Sequence, residues 1–249
     1  GKVHPLDDIE IIDTELALAD LESVEKALLR QSKMAKSGDK DAKALVSVLE
    51  KIKPSLDDGK ALRSVDLTDD EQDIIRSFNF LTIKPTMFIC NVDEDSAGAG
   101  NDFSRKVEEM AVQEGAGVVV ISASIEADLA QLDDGAEKLE FLADLGLNEA
   151  GLDRVIRAGY DLLGLLTFFT AGPQEARAWT IPDGTLAPSA AGVIHGDFER
   201  GFIRAETIAY DDFLSCQGEQ GAKDAGRMRA EGQDYLVKDA DVLLFRFNV

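Results

Sequence analysis

The chain has 249 residues, room for one large domain or two to three small ones, and its 45% apolar fraction with six prolines describes a globular protein rather than a disordered one. No run of about 18 apolar residues and no charged-then-apolar leader is found, which argues against a membrane span and points to a soluble, cytoplasmic protein. With 48 acidic against 26 basic side chains, a net charge of −22 repels nucleic acid and anionic membranes unless cations cluster locally.

The opening Gly1 to Ile12 has no initiator Met and reads like the middle of something. From Asp13 the pattern is helical, with Leu21, Val24, Leu28, Gln31 and Ala35 on one stripe. Ser37-Gly38-Asp39 breaks it, and Ala42, Leu45, Leu49 and Ile52 resume the spacing until Pro54, which is expected to stop the second helix. Two short stripes joined by a Gly-containing turn predict an antiparallel helical hairpin that needs support from a neighbouring domain. Thr68-Asp69-Asp70-Glu71 is a capping box and opens a helix carrying Ile74, Ile75 and Phe78.

Met87-Phe88-Ile89-Cys90, preceded by Lys84-Pro85 and broken off at Asn91, suits a strand buried on both faces of a parallel sheet. Phe103 to Glu114 is predicted helical with Val107, Met110 and Ala111 inward, and Val118 to Ile121 is a second buried strand ending at Ser122-Ala123-Ser124. Strand, helix, strand makes a βαβ unit, so the tips at Asn91 and Ser122 are expected to be neighbours. Ligands of such sheets bind beyond the carboxyl ends of the strands, where an Asn amide and a Glu carboxylate three apart can grip a base edge. By itself the run also fits an ordinary strand followed by an acidic turn.

Asp153 to Leu165 reads as helix. Phe168 to Thr170 and Ala176 to Ile181 look like paired strands, Pro182-Asp183-Gly184 like a turn, Pro188 to Ile194 like a short helix, and Gly201 to Ile208 and Val242 to Phe247 like further strands. Several strands around one helix suggest a small ubiquitin-like α+β domain. The two cysteines, Cys90 and Cys216, are far apart and read as reduced thiols, at least one of them buried. His4 and His195 are equally isolated, so no metal cluster is expected. His195 is read as fixing a turn, Trp179 as a core or half-buried strand position, and Asp197 and Glu199 as polar punctuation.

The block Phe168 to Thr207, FFTAGPQEARAWTIPDGTLAPSAAGVIHGDFERGFIRAET, together with the closing GEQGAKDAGRMRAEGQDYLVKDADVLLFRFNV, resembles the C-terminal TGS domain of the YchF (Obg-like) ATPases. The hairpin resembles that family's helical insert, and KPTMFICNVDE its altered base-recognition loop. The resemblance implies a partial α/β P-loop GTPase-like domain with an α-helical hairpin insert, followed by an α+β, ubiquitin-like (β-grasp) TGS domain. It divides the chain into a P-loop-domain remnant (1–12), the helical insert (13–80), the second half of the nucleotide domain (81–146), a helical connector (147–165) and TGS (166–249).

The family pattern Asn-x-x-Glu in place of Asn-Lys-x-Asp fits Asn91, Val92, Asp93 and Glu94. Asn91, Val92 and Glu94 are therefore expected at the base, with Ser122, Ala123 and Ser124 as the adjoining loop. The implied ligand is ATP, with GTP weaker, and the implied partner the ribosome or ribosomal RNA, with no membrane and no DNA. The implied activity is slow ATP hydrolysis with Mg²⁺. Against this, no Gly-x-x-x-x-Gly-Lys-Ser run occurs, and Gly218 to Lys223 has the wrong spacing. The chain is accordingly expected to be an inactive fragment, with the phosphate loop and Mg²⁺ ligands in a preceding part. The alternative is a non-catalytic TGS-plus-helix scaffold for RNA or ribosomal protein, with Arg200, Arg204, Arg227, Arg229 and Lys238 as a possible basic patch.

Overall fold

A computed structural model describes residues 3–248, so Gly1, Lys2 and Val249 lie outside the described residues. The chain divides into two compact units, residues 1–156 and 157–249.

The first unit begins with a long helix α1, Pro5–Lys36, and a second, α2, Lys40–Asp57, which form the expected hairpin. The first helix starts at Pro5 rather than Asp13. Pro5 sits where its fixed φ suits a helix and its missing N–H costs nothing, and Asp7 and Asp8 favour the positive end of the helix dipole. The second helix runs through Pro54 to Asp57. Proline in the last turn removes a single backbone bond, and burial of Ile52 and Leu56 on either side of it offsets that loss. Ala17, Val24, Val48, Leu49, Ile52 and Leu56 form the hairpin core together with Leu62, Leu67, Ile75 and Phe80. The Thr68 capping box is present, both halves made, and opens α3, Asp69–Ile75.

Beyond the hairpin, β1 (Met87–Asn91), α4 (Asp102–Glu114) and β2 (Gly117–Ile121) build the strand–helix–strand unit. The strands are parallel, with Met87 opposite Gly117 and Asn91 opposite Ile121. They are not buried on both faces: Ile89 is 49% exposed, and in β2 the one fully buried side chain is Val119. The reason is that the sheet has two strands among the described residues, so each keeps one open edge. α5 (Ala123–Leu129) and α6 (Gly135–Asp144) follow and pack through Ile125, Leu129 and Leu142. α7 spans Gly151–Leu162, ending ahead of Leu165, which is already strand.

In the second unit β3 (Leu165–Ala171) and β4 (Ala176–Pro182) are the expected antiparallel pair, with Gly184 at φ +79° in the turn that follows. Then come α8 (Ala187–Ile194), α9 (Gly196–Arg200), β5 (Phe202–Ala209), α10 (Tyr210–Ser215), α11 (Glu219–Asp224), β6 (Arg229–Glu231) and β7 (Asp241–Phe247). The five-stranded sheet has the order β4-β3-β7-β5-β6, with β3 and β7 parallel. Its core packs Leu166, Phe168, Ile181, Phe202, Leu243 and Phe245 against the alanines of α8. The expectation of a single helix is corrected: three short helices accompany α8, and Ala222 of α11 closes a second small core over Ile208 and Val242.

Candidate functional site

The parallel register brings the two strand tips together. Asn91 is the last residue of β1 and stands opposite Ile121, so Ser122 and Ala123 come next to it. The Val92 N–H donates to the Ile121 carbonyl at 2.8 Å and extends the ladder one step past the strand. After that the chain is free of the sheet, and Asp93 accepts from the Ser96 N–H to start a 3-10 turn at Glu94–Ser96.

Two hydrogen bonds cross-brace the tips. The Ala123 N–H donates to Asn91 Oδ1 at 2.9 Å, and the Ser124 hydroxyl donates to Glu94 Oε1 at 2.5 Å. Asn91, Glu94, Ala123 and Ser124 are exposed, Val92 is half-buried, and Ser122 is 2% exposed. All six sequence-predicted residues are therefore gathered in one place. What was read as a loop at Ser122–Ser124 is a helix start: Ser122 is the N-cap of α5, and Ala123 and Ser124 form its first turn.

The braces decide what remains for a ligand. With Asn91 Oδ1 engaged, its Nδ2 is a free donor, and with Oε1 of Glu94 engaged, Oε2 is a free acceptor; neither takes part in a hydrogen bond among the described residues. Beside them lies the Ser122 hydroxyl, buried and without a partner. An orphaned buried hydroxyl costs free energy unless something completes it. An open cavity of about 370 Å³ reaches Asn91 and is also lined by Phe88, Cys90, Phe103 and Val107. Burial pushes the Cys90 thiol up from its ordinary value, keeping it protonated and a poor nucleophile. Both cysteines are free and half-buried, so neither is sealed in a core.

One side chain that positions the neighbouring helix escapes the sequence reading. Glu126, on α5 just past Ser124, accepts from the N–H of Gly151 at 2.7 Å and of Leu152 at 3.2 Å, capping α7. No cluster of three His, Cys, Asp or Glu side chains is positioned to hold a metal ion among the described residues.

The second unit disposes of the tempting residues. His195 Nδ1 accepts the Asp197 N–H at 3.1 Å and caps α9. Trp179 is half-buried, stacked on Phe168 with Arg177 4.2 Å above its ring, and its indole N–H donates to Thr170. The basic patch offered under the alternative reading is largely neutralised: Arg200 pairs with Asp197, Arg204 with Glu206, Arg227 with Asp212 and Arg229 with Glu231.

A parallel strand–helix–strand unit with an amide and a carboxylate at its strand tips has the architecture of an α/β ligand-binding domain. Comparisons with known proteins agree in kind. The YchF-GTPase C-terminal family, described as "Protein of unknown function (DUF933)", matches residues 165–248. The chain is 59% identical over 249 residues to "Ribosome-binding ATPase YchF" of Escherichia coli O157:H7, which covers all of this chain and 68% of that protein. It is 51% identical over 251 residues to the protein of the same name from Bacillus subtilis (strain 168), again covering 68% of it. The solved Schizosaccharomyces pombe YchF GTPase superposes with a TM-score of 0.84 at 30% identity, covering 99% of this chain and 67% of that one. A GTP binding protein from Pyrococcus horikoshii OT3, at 16% identity and a TM-score of 0.54, shares the fold. The chain belongs to the YchF family.

Proposed function

We propose that this chain carries the base-recognition and ribosome-contacting parts of a YchF-type nucleotide hydrolase, selecting ATP over GTP. In this reading residues 13–80 are the helical insert, 81–146 the second half of the nucleotide domain, 147–165 a connector and 166–249 the TGS domain.

The observation that carries it is the braced pair Asn91–Ala123 and Glu94–Ser124. The pair leaves one donor, Asn91 Nδ2, and one acceptor, Glu94 Oε2. On its N7 edge adenine offers the complement, N7 as acceptor beside the N6 amino donor, whereas the N7 edge of guanine offers two acceptors, N7 and O6. Guanine held by that edge would set its O6 against the Glu94 carboxylate, and the Ala123 N–H is already engaged by Asn91. Val92 and Ala123 supply apolar surface to the ring, and the Ser122 hydroxyl offers a further partner. The residues present thus fit an adenine base.

They do not fit Mg²⁺ or the triphosphate, given the lack of a metal-ligating cluster among the described residues and of a Gly-x-x-x-x-Gly-Lys-Ser run in the sequence. When bound, ATP supplies the phosphoanhydride whose cleavage the family name implies, and these 249 residues bind and orient its base. By themselves they are inactive. The relatives' name, ribosome-binding ATPase, supports the ribosome as partner and a cytoplasmic setting.

Calorimetric titration of the chain with adenosine, guanosine, ATP and GTP tests the reading. Adenine ligands are expected to bind at least tenfold tighter than guanine ligands, with no ATP turnover. Asn91→Ala is expected to lose binding, and Glu94→Gln to narrow the preference. Equal affinity for guanosine, or an Asn91→Ala chain that binds as before, overturns it.

A further inference from the structure

Many cations of this acidic chain are ion-paired, and of those that form no ion pair among the described residues five gather at one place. At the hairpin's closed end, Arg30, Lys33 and Lys36 of α1 and Lys40 and Lys43 of α2 are all exposed, and none forms an ion pair among the described residues. Lower on the same hairpin the lysines are engaged: Lys26 with Glu22, Lys51 with Glu71, and Lys53 with Glu25 and Asp57. Between residues 30 and 43 five cations face two carboxylates, Asp39 and Asp41, a local balance of +3 in a chain of −22. Asp39 is further occupied in capping α2, accepting from the Ala42 N–H.

This end also stands clear of the unit's apolar core. The hairpin members of that core stop at Leu28 on one helix and Leu45 on the other. From Leu28 to Lys36 the helix rises by roughly 12 Å at 1.5 Å per residue. That exceeds the Debye length of about 8 Å at physiological salt, so the acidic body is screened from whatever the tip meets.

We infer that the hairpin tip is a phosphate-backbone contact for structured, base-paired RNA. Cations three residues apart along each helix lie on shared faces and can follow a strand of phosphates as separate point charges. No aromatic residue occurs between Glu25 and Leu45, so single-strand binding by base stacking has nothing to use. Leu29 and Met34 are exposed there, at 74% and 45%. Two aliphatic side chains fall short of the desolvated, aromatic-centred patch that anchors a tight protein interface. The paired arginines of the second unit contrast with this: their guanidinium groups must first give up carboxylates. The inference deepens the ribosome-binding reading by naming the surface, and it fails separately from it.

The test uses the whole chain, its R30Q/K33Q/K36Q/K40Q/K43Q variant, and a control variant R200Q/R204Q/R227Q. Glutamine keeps helix propensity, and unchanged far-UV circular dichroism verifies the fold. A fluorescent RNA hairpin of about 20 base pairs is titrated by anisotropy across a NaCl series, and ribosome cosedimentation is run in parallel. Binding is expected to weaken with salt and to fall at least tenfold in the tip variant, with a log–log salt slope shallower by about one per cation that meets a phosphate. The control variant is expected to bind as the parent does. The inference is overturned if the parent does not bind the duplex at low salt, or if the tip variant keeps affinity and slope. It is overturned too if the tip variant loses ribosomes while duplex binding is unaffected, which would assign the tip to a ribosomal protein. Loss of duplex binding with ribosome binding intact would leave the RNA contact standing and refute its part in the ribosome reading.

Discussion

Replacing Asp20 by alanine is expected to destabilise the first unit by about 3 kcal/mol. Asp20 is 3% exposed in the middle of α1. Its Oδ1 accepts the Leu81 N–H at 2.8 Å, and its Oδ2 accepts both the Thr82 N–H and the Thr82 hydroxyl at 2.8 Å. Thr82 Oγ1 in turn accepts the Leu62 N–H at 3.1 Å, so one carboxylate ties the helix to two other segments. Three donors lose their partner in Asp20→Ala. At roughly 1–1.5 kcal/mol for each orphaned buried group, less what is recovered by no longer desolvating a charge, the total comes to about 3 kcal/mol. Asp20→Asn keeps an oxygen for the two Thr82 donors but sets an NH₂ against the Leu81 N–H, and about half the loss is expected. Urea unfolding followed at 222 nm reads the helices, while the single tryptophan, Trp179, reports on the other unit. Amide exchange at Leu81 and Thr82 gives the local view. A loss below 0.5 kcal/mol (an order-of-magnitude threshold for an ordinary surface change) with unchanged exchange at both amides would refute the account.

Gly151→Ala is expected to cost about 1–3 kcal/mol, since a Cβ there meets Glu126 Oε1 at 2.8 Å and Ile121 Cγ2 at 2.9 Å; the same melts read it, with the α7 cap amides exchanging faster. Ser124→Ala removes the brace on Glu94 and should reduce any ATP-over-GTP preference about fivefold, roughly 1 kcal/mol, in competition titrations. Arg246 and Arg204 hold the Glu206 carboxyl below its ordinary value. Because the folded value is depressed, its contribution is complete above the ordinary carboxylate range near pH 4.3 and is lost as pH falls through the lower folded value. Melting temperatures of the parent and Glu206→Gln should differ by a constant amount above about pH 5 and converge below about pH 4, the gap corresponding to no more than about 1 kcal/mol. A gap independent of pH from 7 down to about 3 would contradict that assignment.

Where a fold signal is local, the residues spelled it out. Thr68 and Glu71 lie one helical turn apart and their capping box is made by each other, and the β3–β4 pair follows from adjacent apolar runs. Pro5 with Asp7 and Asp8 was an equally local start signal that the weak apolar pattern before Asp13 concealed. Asp20 is different in kind. Its partners are 61 and 62 residues away, and nothing next to it announces them. A trace exists all the same: Ala17, Asp20 and Val24 share the three-four spacing, so the carboxylate stands on the buried stripe and demands a reason.

The candidate site was legible as far as membership and no further. Strand–helix–strand order brings Asn91 and Ser122 side by side, and pattern alone reaches that point. Which atoms remain free depends on the braces, and these join residues 32 and 30 positions apart. A motif of Asn and Glu could present two acceptors, or one acceptor and one donor, according to how the amide is turned. Ala123 settles the amide's orientation, because a backbone N–H can only donate, and Ser124 takes one carboxylate oxygen. The same limit governs charge. Arg200, Arg204, Arg227 and Arg229 look like a basic patch in the sequence, yet each has an acid within reach in the fold. A run of cations becomes a binding surface when the structure leaves it unpaired, and that is a property of neighbours, which composition does not carry.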